Sequence, residues 1–277
     1  VFEKYFGPYP FWNDGYALVE TPYLGMEHQG AIAYGNQFKK GYLGSIPEGL
    51  EFDFIILHET GHEWFGNSLS CKDHAEMWLH EAFTTYMESI YVEEMHDYEK
   101  ALYYVNYYGR YVTHKDPMVG PLGVNYDDFD TDIYYKGALM LNTLRHCISN
   151  DDIWWDLLKE FYQKYQIQPV ETQDFIDMAN DCSDYDYNSF FEQYLHFTAL
   201  PNFQYEIKSK GKNHTIIRYR WDVDVEDFQM PVIVFGEEKA VKLNGTTEWQ
   251  ETILKHIPKK EFKVAEAQFY ITTEKMN

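Results

Sequence analysis

The chain has 277 residues, 45% of them apolar and 25% charged, a composition that can bury the core of one large domain or two small ones and excludes disorder. Lys and Arg number 23 against 45 Asp and Glu, a net charge of −22, and because residues 201–277 carry 12 of each sign, the first 200 hold 11 basic against 33 acidic residues. That imbalance excludes nucleic acid as a partner, which needs a basic footprint; no apolar run reaches the ~18 residues of a membrane span; and Cys71, Cys147 and Cys182, without a CxxC spacing, form neither a disulfide framework nor a cysteine zinc site.

Up to Phe52 the chain mixes Gly and Pro with short apolar runs such as Ala31 to Tyr34, which suits a few edge strands packed on helices. Apolar periodicity then predicts helices over 51–66, 74–95, 97–114, 130–149, 152–165, 172–182 and 187–197. In the third of these Asp97 is a fair N-cap, and Tyr103, Tyr107 and Tyr111 recur at helical spacing, as a packed helix face would. After Leu200-Pro201 the period becomes two. Phe203, Tyr205 and Ile207 fall on one side of a strand, and Ile217, Tyr219 and Trp221 on one side of the next. Pro231 to Phe235 and Gln268 to Thr272 read as further strands, with Asn244-Gly245 as a hairpin turn. The expected fold class is α+β: a mostly helical domain over 1–200, then a small all-β domain over 201–277.

The segment EFDFIILHETGHEWFGN contains HExxH: His58, Glu59 and His62. Positions four apart share one helix face, so both imidazoles can reach one ion, and Glu59 stands beside the pair as a general base. The apolar run Phe52 to Leu57 makes this a buried helix rather than a solvated one. Eighteen residues on, in MWLHEAFTTYME, Glu81 offers a third ligand. Two His and one Glu with an open fourth position form the catalytic zinc pattern, whereas structural zinc sites are closed by four protein ligands. Imidazole-rich, thiolate-free ligation favours one Zn²⁺ per chain over calcium or magnesium. Glu88, seven residues after Glu81 and on the same helix face, is expected to orient His58 or His62, since metal-bound imidazoles donate their second N–H to a carboxylate or carbonyl.

With these residues in place the chain resembles the aminopeptidase N and leukotriene-hydrolase family of gluzincins. The likeness rests on HETGHEWFGN and WLHEAFTTYME, on GMEHQGAIAYG, which is similar to the family's exopeptidase motif G-x-M-E-N, and on IYYKGALML, which is similar to its Y-x-K-G segment. It covers at least residues 20–200. The resemblance implies a thermolysin-like catalytic domain followed by a small sandwich-like β domain. It implies that Glu27 binds the free α-amino group of a peptide, that backbone groups of Gly25 and Met26 line the substrate strand, and that Tyr134 stabilises the oxyanion. From spacing alone the neighbouring Tyr135 competes for that last role. Leu24 and His28 depart from the exopeptidase motif, and His80 and Ala82 replace the Asn and Gly usual beside the third ligand. Such enzymes usually carry an N-terminal β domain, so the chain is expected to be a fragment that lacks it, binding zinc but turning substrate over weakly.

The leading reading is therefore a zinc aminopeptidase acting on peptides with a free N-terminus. The alternatives are a thermolysin-like endopeptidase, which Glu27 argues against, and a non-catalytic scaffold, which would have lost Glu59 or a ligand.

Overall fold

A computed structural model describes residues 1–183 and 185–276. In chain order the helices are α1 (Phe2–Phe6), α2 (Phe54–Gly61), α3 (Trp78–Met95), α4 (Tyr98–Tyr108), α5 (Tyr135–Ile148), α6 (Asp151–Tyr165), α7 (Thr172–Asp181) and α8 (Asn188–His196). The strands of the first 200 residues are β1 (Ala17–Glu20), β2 (Gly25–Met26), β3 (Ala31–Tyr34), β4 (Leu69–Cys71) and β5 (Gln168–Val170). Those that follow are β6 (Asn202–Lys210), β7 (His214–Asp222), β8 (Gln229–Phe235), β9 (Ala240–Thr246), β10 (Gln250–Lys255), β11 (Lys263–Val264) and β12 (Thr272–Lys275).

The centre of the helical part is α3. From Trp78 to Ile90 every residue is buried, as befits a helix packed on all sides. Phe83 stacks on Phe65 at 4.7 Å and meets Phe175 of α7 edge-on at 4.9 Å. Because α3 is enclosed, its carboxylates Glu81 and Glu88 are enclosed with it. Helix α2 crosses α3 and starts at Asp53, whose carboxylate accepts the N–H groups of Ile55 and Ile56. The same carboxylate takes the Tyr34 hydroxyl and the Asn36 amide, so the N-cap also moors the segment before it.

The small sheet has order β1-β3-β2, with β1 parallel and β2 antiparallel to β3. That leaves β2 as an edge strand beside α2. The chain approaches α2 closely there: a Cβ on Gly25 would lie 2.4 Å from Glu59 Oε1 and 2.7 Å from Ile55 Cγ2. Only glycine lets β2 pass over the Glu59 side chain.

Beyond Leu200 two sheets, ordered β10-β7-β6-β12 and β11-β8-β9, are joined by contacts such as Trp221 Nε1 donating to the Met230 carbonyl at 2.9 Å. They share one continuous buried cluster with the helices, which includes Phe2, Trp78, Phe161, Phe203, Trp221 and Phe269.

All seven predicted helices are present, and several details differ. The helix foreseen over 51–66 stops at Gly61, and the chain turns through 62–68 before β4. The tyrosine stripe is more exposed than expected: Tyr103 and Tyr111 are nearly half exposed, while the buried tyrosines of α4 are Tyr104 and Tyr108. Tyr107 packs partly buried against the cluster of Phe52, Tyr104 and Tyr108, with the Arg110 guanidinium 3.7 Å from its ring centroid on the outer side. Asn244-Gly245 is not a turn. It lies inside β9, paired with Pro231 and Met230, and Gly245 is small because Trp221 Nε1 would sit 2.4 Å from a Cβ. The last strand begins at Thr272 rather than Gln268 and runs parallel to β6. The helix α1 and the two-stranded pairing of β4 with β5 carry no periodic signal and were not foreseen.

Candidate metal centre and cleft

On α2 the rings of His58 and His62 project from one face, and α3 brings Glu81 opposite them. The Nε2 atoms are 3.1 Å apart, and Glu81 Oε2 lies 3.3 Å from His58 Nε2 and 3.2 Å from His62 Nε2. Donors bound tetrahedrally at about 2.1 Å from one ion would be about 3.4 Å apart, so the triangle has the right size.

The outer hydrogen bonds fix what the inner atoms offer. His58 Nδ1–H donates to Glu88 Oε1 at 2.7 Å, and His62 Nδ1–H donates to the Phe65 carbonyl at 2.9 Å. Each Nε2 therefore presents a lone pair. Glu81 Oε2 is buried without a hydrogen-bond donor. Two lone pairs and a carboxylate oxygen converge on one point with no proton donor among them, an arrangement a divalent cation satisfies.

Glu88 is the partner of His58, as its place on the α3 face suggested. Its other oxygen, Oε2, accepts the Tyr104 hydroxyl at 2.6 Å. Tyr104 had no sequence signal, because the link runs between helices. His80 points away from the ligands, its Nε2 accepting the Cys71 N–H at 2.8 Å. Ala82 packs where α5 comes nearest, at Gly137, on which a Cβ would meet the Ala82 Cβ at 2.4 Å. The His28 side chain is exposed.

A cleft of about 610 Å³ opens over the three donors and is lined by Leu24 to Glu27, Phe54, Glu59, Tyr134 and Tyr135, among others. Ligand atoms of Glu27, Glu59 and His62 lie within 4.8 Å of one another. Burial pushes the Glu59 carboxyl up, and the Glu27 and Glu81 charges add to the rise, which favours a group that takes and returns a proton. The Tyr134 ring stacks on His58 with centroids 6.0 Å apart. Burial and then the carboxylates of Glu81, Glu27 and Glu59 raise its phenol, so it stays protonated and can donate. Tyr135 instead stacks on Tyr108 at 5.4 Å. Both tyrosines line the cleft, and it is Tyr134 whose ring lies on His58. The loop carrying Asp127, Phe129 and Asp130 forms the opposite rim and was not foreseen.

The sequence profile of the peptidase family M1 domain matches residues 1–194. The chain belongs to peptidase family M1. Endoplasmic reticulum aminopeptidase 1 of Mus musculus is 27% identical over 189 residues, 62% of this chain and 20% of that protein. Aminopeptidase N of Lactococcus lactis subsp. lactis is 25% identical over 203 residues, 67% of this chain and 23% of that protein. The M1 chain therefore spans about a fifth of the length of these relatives. Among solved structures, aminopeptidase A of Legionella pneumophila, in complex with aspartic acid, covers 94% of the chain with a TM-score of 0.71 at 16% identity and is itself covered to 32%. An M1 zinc metallopeptidase of Deinococcus radiodurans, a mutant bound to a Tyr-Ser-Ala substrate, covers 72% with a TM-score of 0.57 at 23% identity and is covered to 43%. At these identities the two structures speak for the fold.

Proposed function

We propose that this chain is the catalytic part of a zinc aminopeptidase that removes the N-terminal residue of peptides. Residues 1–200 form its thermolysin-like domain, and 201–277 form a small sandwich-like β domain seated on it through the shared core. His58, His62 and Glu81 hold one Zn²⁺, with Glu88 orienting His58. When bound there, zinc supplies a Lewis acid for the scissile carbonyl and a nucleophile at neutral pH.

The chain's own groups do the rest. Glu59 takes a proton from the attacking water and returns it to the leaving amine. Tyr134, kept neutral, donates a hydrogen bond to the oxygen on which negative charge develops. The free edge of β2 at Gly25 and Met26 receives the substrate backbone as an added strand. Glu27 accepts the substrate's α-ammonium and so sets the cut at the first peptide bond.

The observation that carries this reading is the closeness of Glu27 to Glu59 and His62: a carboxylate outside the ligand set, within reach of the base, selects a cationic end. The test compares hydrolysis of a peptide with that of its N-acetylated form by the intact protein. Losing a buried charge pair costs about 2–5 kcal/mol, so the acetylated form should be cut at least ~30-fold more slowly. Equal rates would make the enzyme an endopeptidase.

A further inference from the structure

Glu63 directly follows the second histidine of HExxH and has no part in the chemistry above. Its side chain is fully buried. Burying a carboxylate costs several kcal/mol unless it is well bonded, and an apolar residue would fill the same space. Glu63 accepts, through Oε1, the main-chain N–H of Gly30 at 2.8 Å, while its Oε2 is buried without a partner. Four residues further on, Asn67 Nδ2 donates to the main-chain carbonyl of Glu27 at 2.7 Å. The two bonds grip both ends of the turn that joins β2 to β3, the turn that carries Glu27. Within it His28 N–H reaches the Met26 carbonyl and Ala31 N–H the His28 carbonyl, so the turn is also bonded internally. The gripping residues sit on the same short stretch, 62–69, that carries His62 and Phe65, the partners at the metal centre.

We infer that Glu63 and Asn67 are positioning residues for Glu27, fixing the distance between the amine site and the metal centre and thereby the cut after one residue. The inference rests on the aminopeptidase reading. It gives a geometric reason for the exopeptidase turn and the metal helix to act as a unit: the turn is hydrogen-bonded to the segment that directly follows that helix.

The test uses the intact protein and four variants, Glu63→Gln, Glu63→Leu, Asn67→Ala and Glu27→Ala, with a peptide substrate and its N-acetylated counterpart. Zinc content and thermal midpoint are measured alongside. Glu63→Gln keeps a carbonyl acceptor for Gly30 and should stay within about threefold of the parent. Glu63→Leu and Asn67→Ala should raise KM for the free peptide about tenfold, with kcat falling less, and should shrink the preference for the free over the acetylated substrate toward that of Glu27→Ala, while zinc content is unchanged. Hydrogen exchange provides a readout that does not need turnover: amides in 26–31 should exchange faster in Asn67→Ala, while those of α3 stay as in the parent. An unchanged free-to-acetylated preference and unchanged exchange in Asn67→Ala would overturn the inference. A Glu63→Gln as impaired as Glu63→Leu, or a loss in kcat alone, would also overturn it. A parent that cuts both substrates equally would instead overturn the aminopeptidase reading on which the inference stands.

Discussion

The two walls of the cleft are built on different principles. The metal wall is α2 against α3, its donor atoms buried and its main-chain hydrogen bonds closed within the helices. The amine wall is three short strands and the loop 36–45, in which Gln37, Phe38 and Leu43 take left-handed backbone conformations with φ near 55°. Tyr23, Met26, Phe38 and Tyr42 are exposed on it. It stays in place through long-range side-chain bonds to Asp53, Glu63 and Asn67. Helix geometry fixes the metal wall from within. The amine wall is fixed from without, by a few polar side chains of its neighbour.

The largest effects should therefore come from the metal wall and should divide by role. His58→Ala or Glu81→Ala should abolish zinc binding, read by metal analysis after dialysis. Glu59→Gln should keep zinc and the fold while the rate falls by about 10²–10⁴, the share of a general base. Zinc loss in Glu59→Gln would show that this carboxylate is part of the ligand set, and the division would fail. One step outward, Glu88→Gln should weaken zinc binding by about 10–100-fold in a chelator competition. Tyr104→Phe should weaken it less, because the carboxylate keeps its bond to His58.

On the amine wall the expected loss is smaller and of another kind. Gly25→Ala places a methyl group where Glu59 Oε1 lies 2.4 Å away, so β2 must lift off α2. Activity should fall about tenfold or more, in line with the sensitivity of catalysis to misplacement near 1 Å, and zinc affinity should hold. A variant that lost zinc would mean that the amine wall also shapes the ligand triangle, against the contrast drawn above.

That contrast also explains what could be read from the chain. The spacings of four and seven residues that pair His58 with His62 and Glu81 with Glu88 are helix arithmetic, whereas the eighteen residues between His62 and Glu81 run through a turn and β4 into a second helix; the four side chains meet at one place. The seven long helices are legible for the same reason. Tyr104, Glu63 and the Asn67 contact are not, since each acts through one bond between segments far apart in sequence. Asn244-Gly245 misled because a turn-forming pair can also be chosen for smallness beneath an indole. The outward tyrosines of α4 misled because a ring stripe at helical spacing does not say which of two adjacent stripes is buried. Gln268 to Thr272 alternates like a strand, yet its first residues reach back to the helices: Gln268 to Tyr98 and Tyr270 N–H to Thr143.

That joint supplies the smallest test, one that acid should loosen before the cleft walls part. His146 on α5 is buried; its Nδ1–H donates to the Asn142 carbonyl at 2.7 Å, and its Nε2 accepts the Tyr98 hydroxyl at 2.7 Å, whose oxygen in turn takes Gln268 Nε2–H at 3.0 Å. Burial depresses its pKa from 6.5 to about 4. Between those values the unfolded chain binds a proton that the folded chain refuses, so the neutral ring's contribution is complete above pH 6.5 and drains away as pH falls toward 4. The loss should be on the order of 1–3 kcal/mol. His146→Gln removes the titrating group, so its stability in urea should lie below the parent's at pH 7 and approach or cross it by pH 5. Parallel curves for the two proteins across that range would mean that His146 is as easily protonated folded as unfolded, and the joint would then be no weaker in acid than the walls it connects.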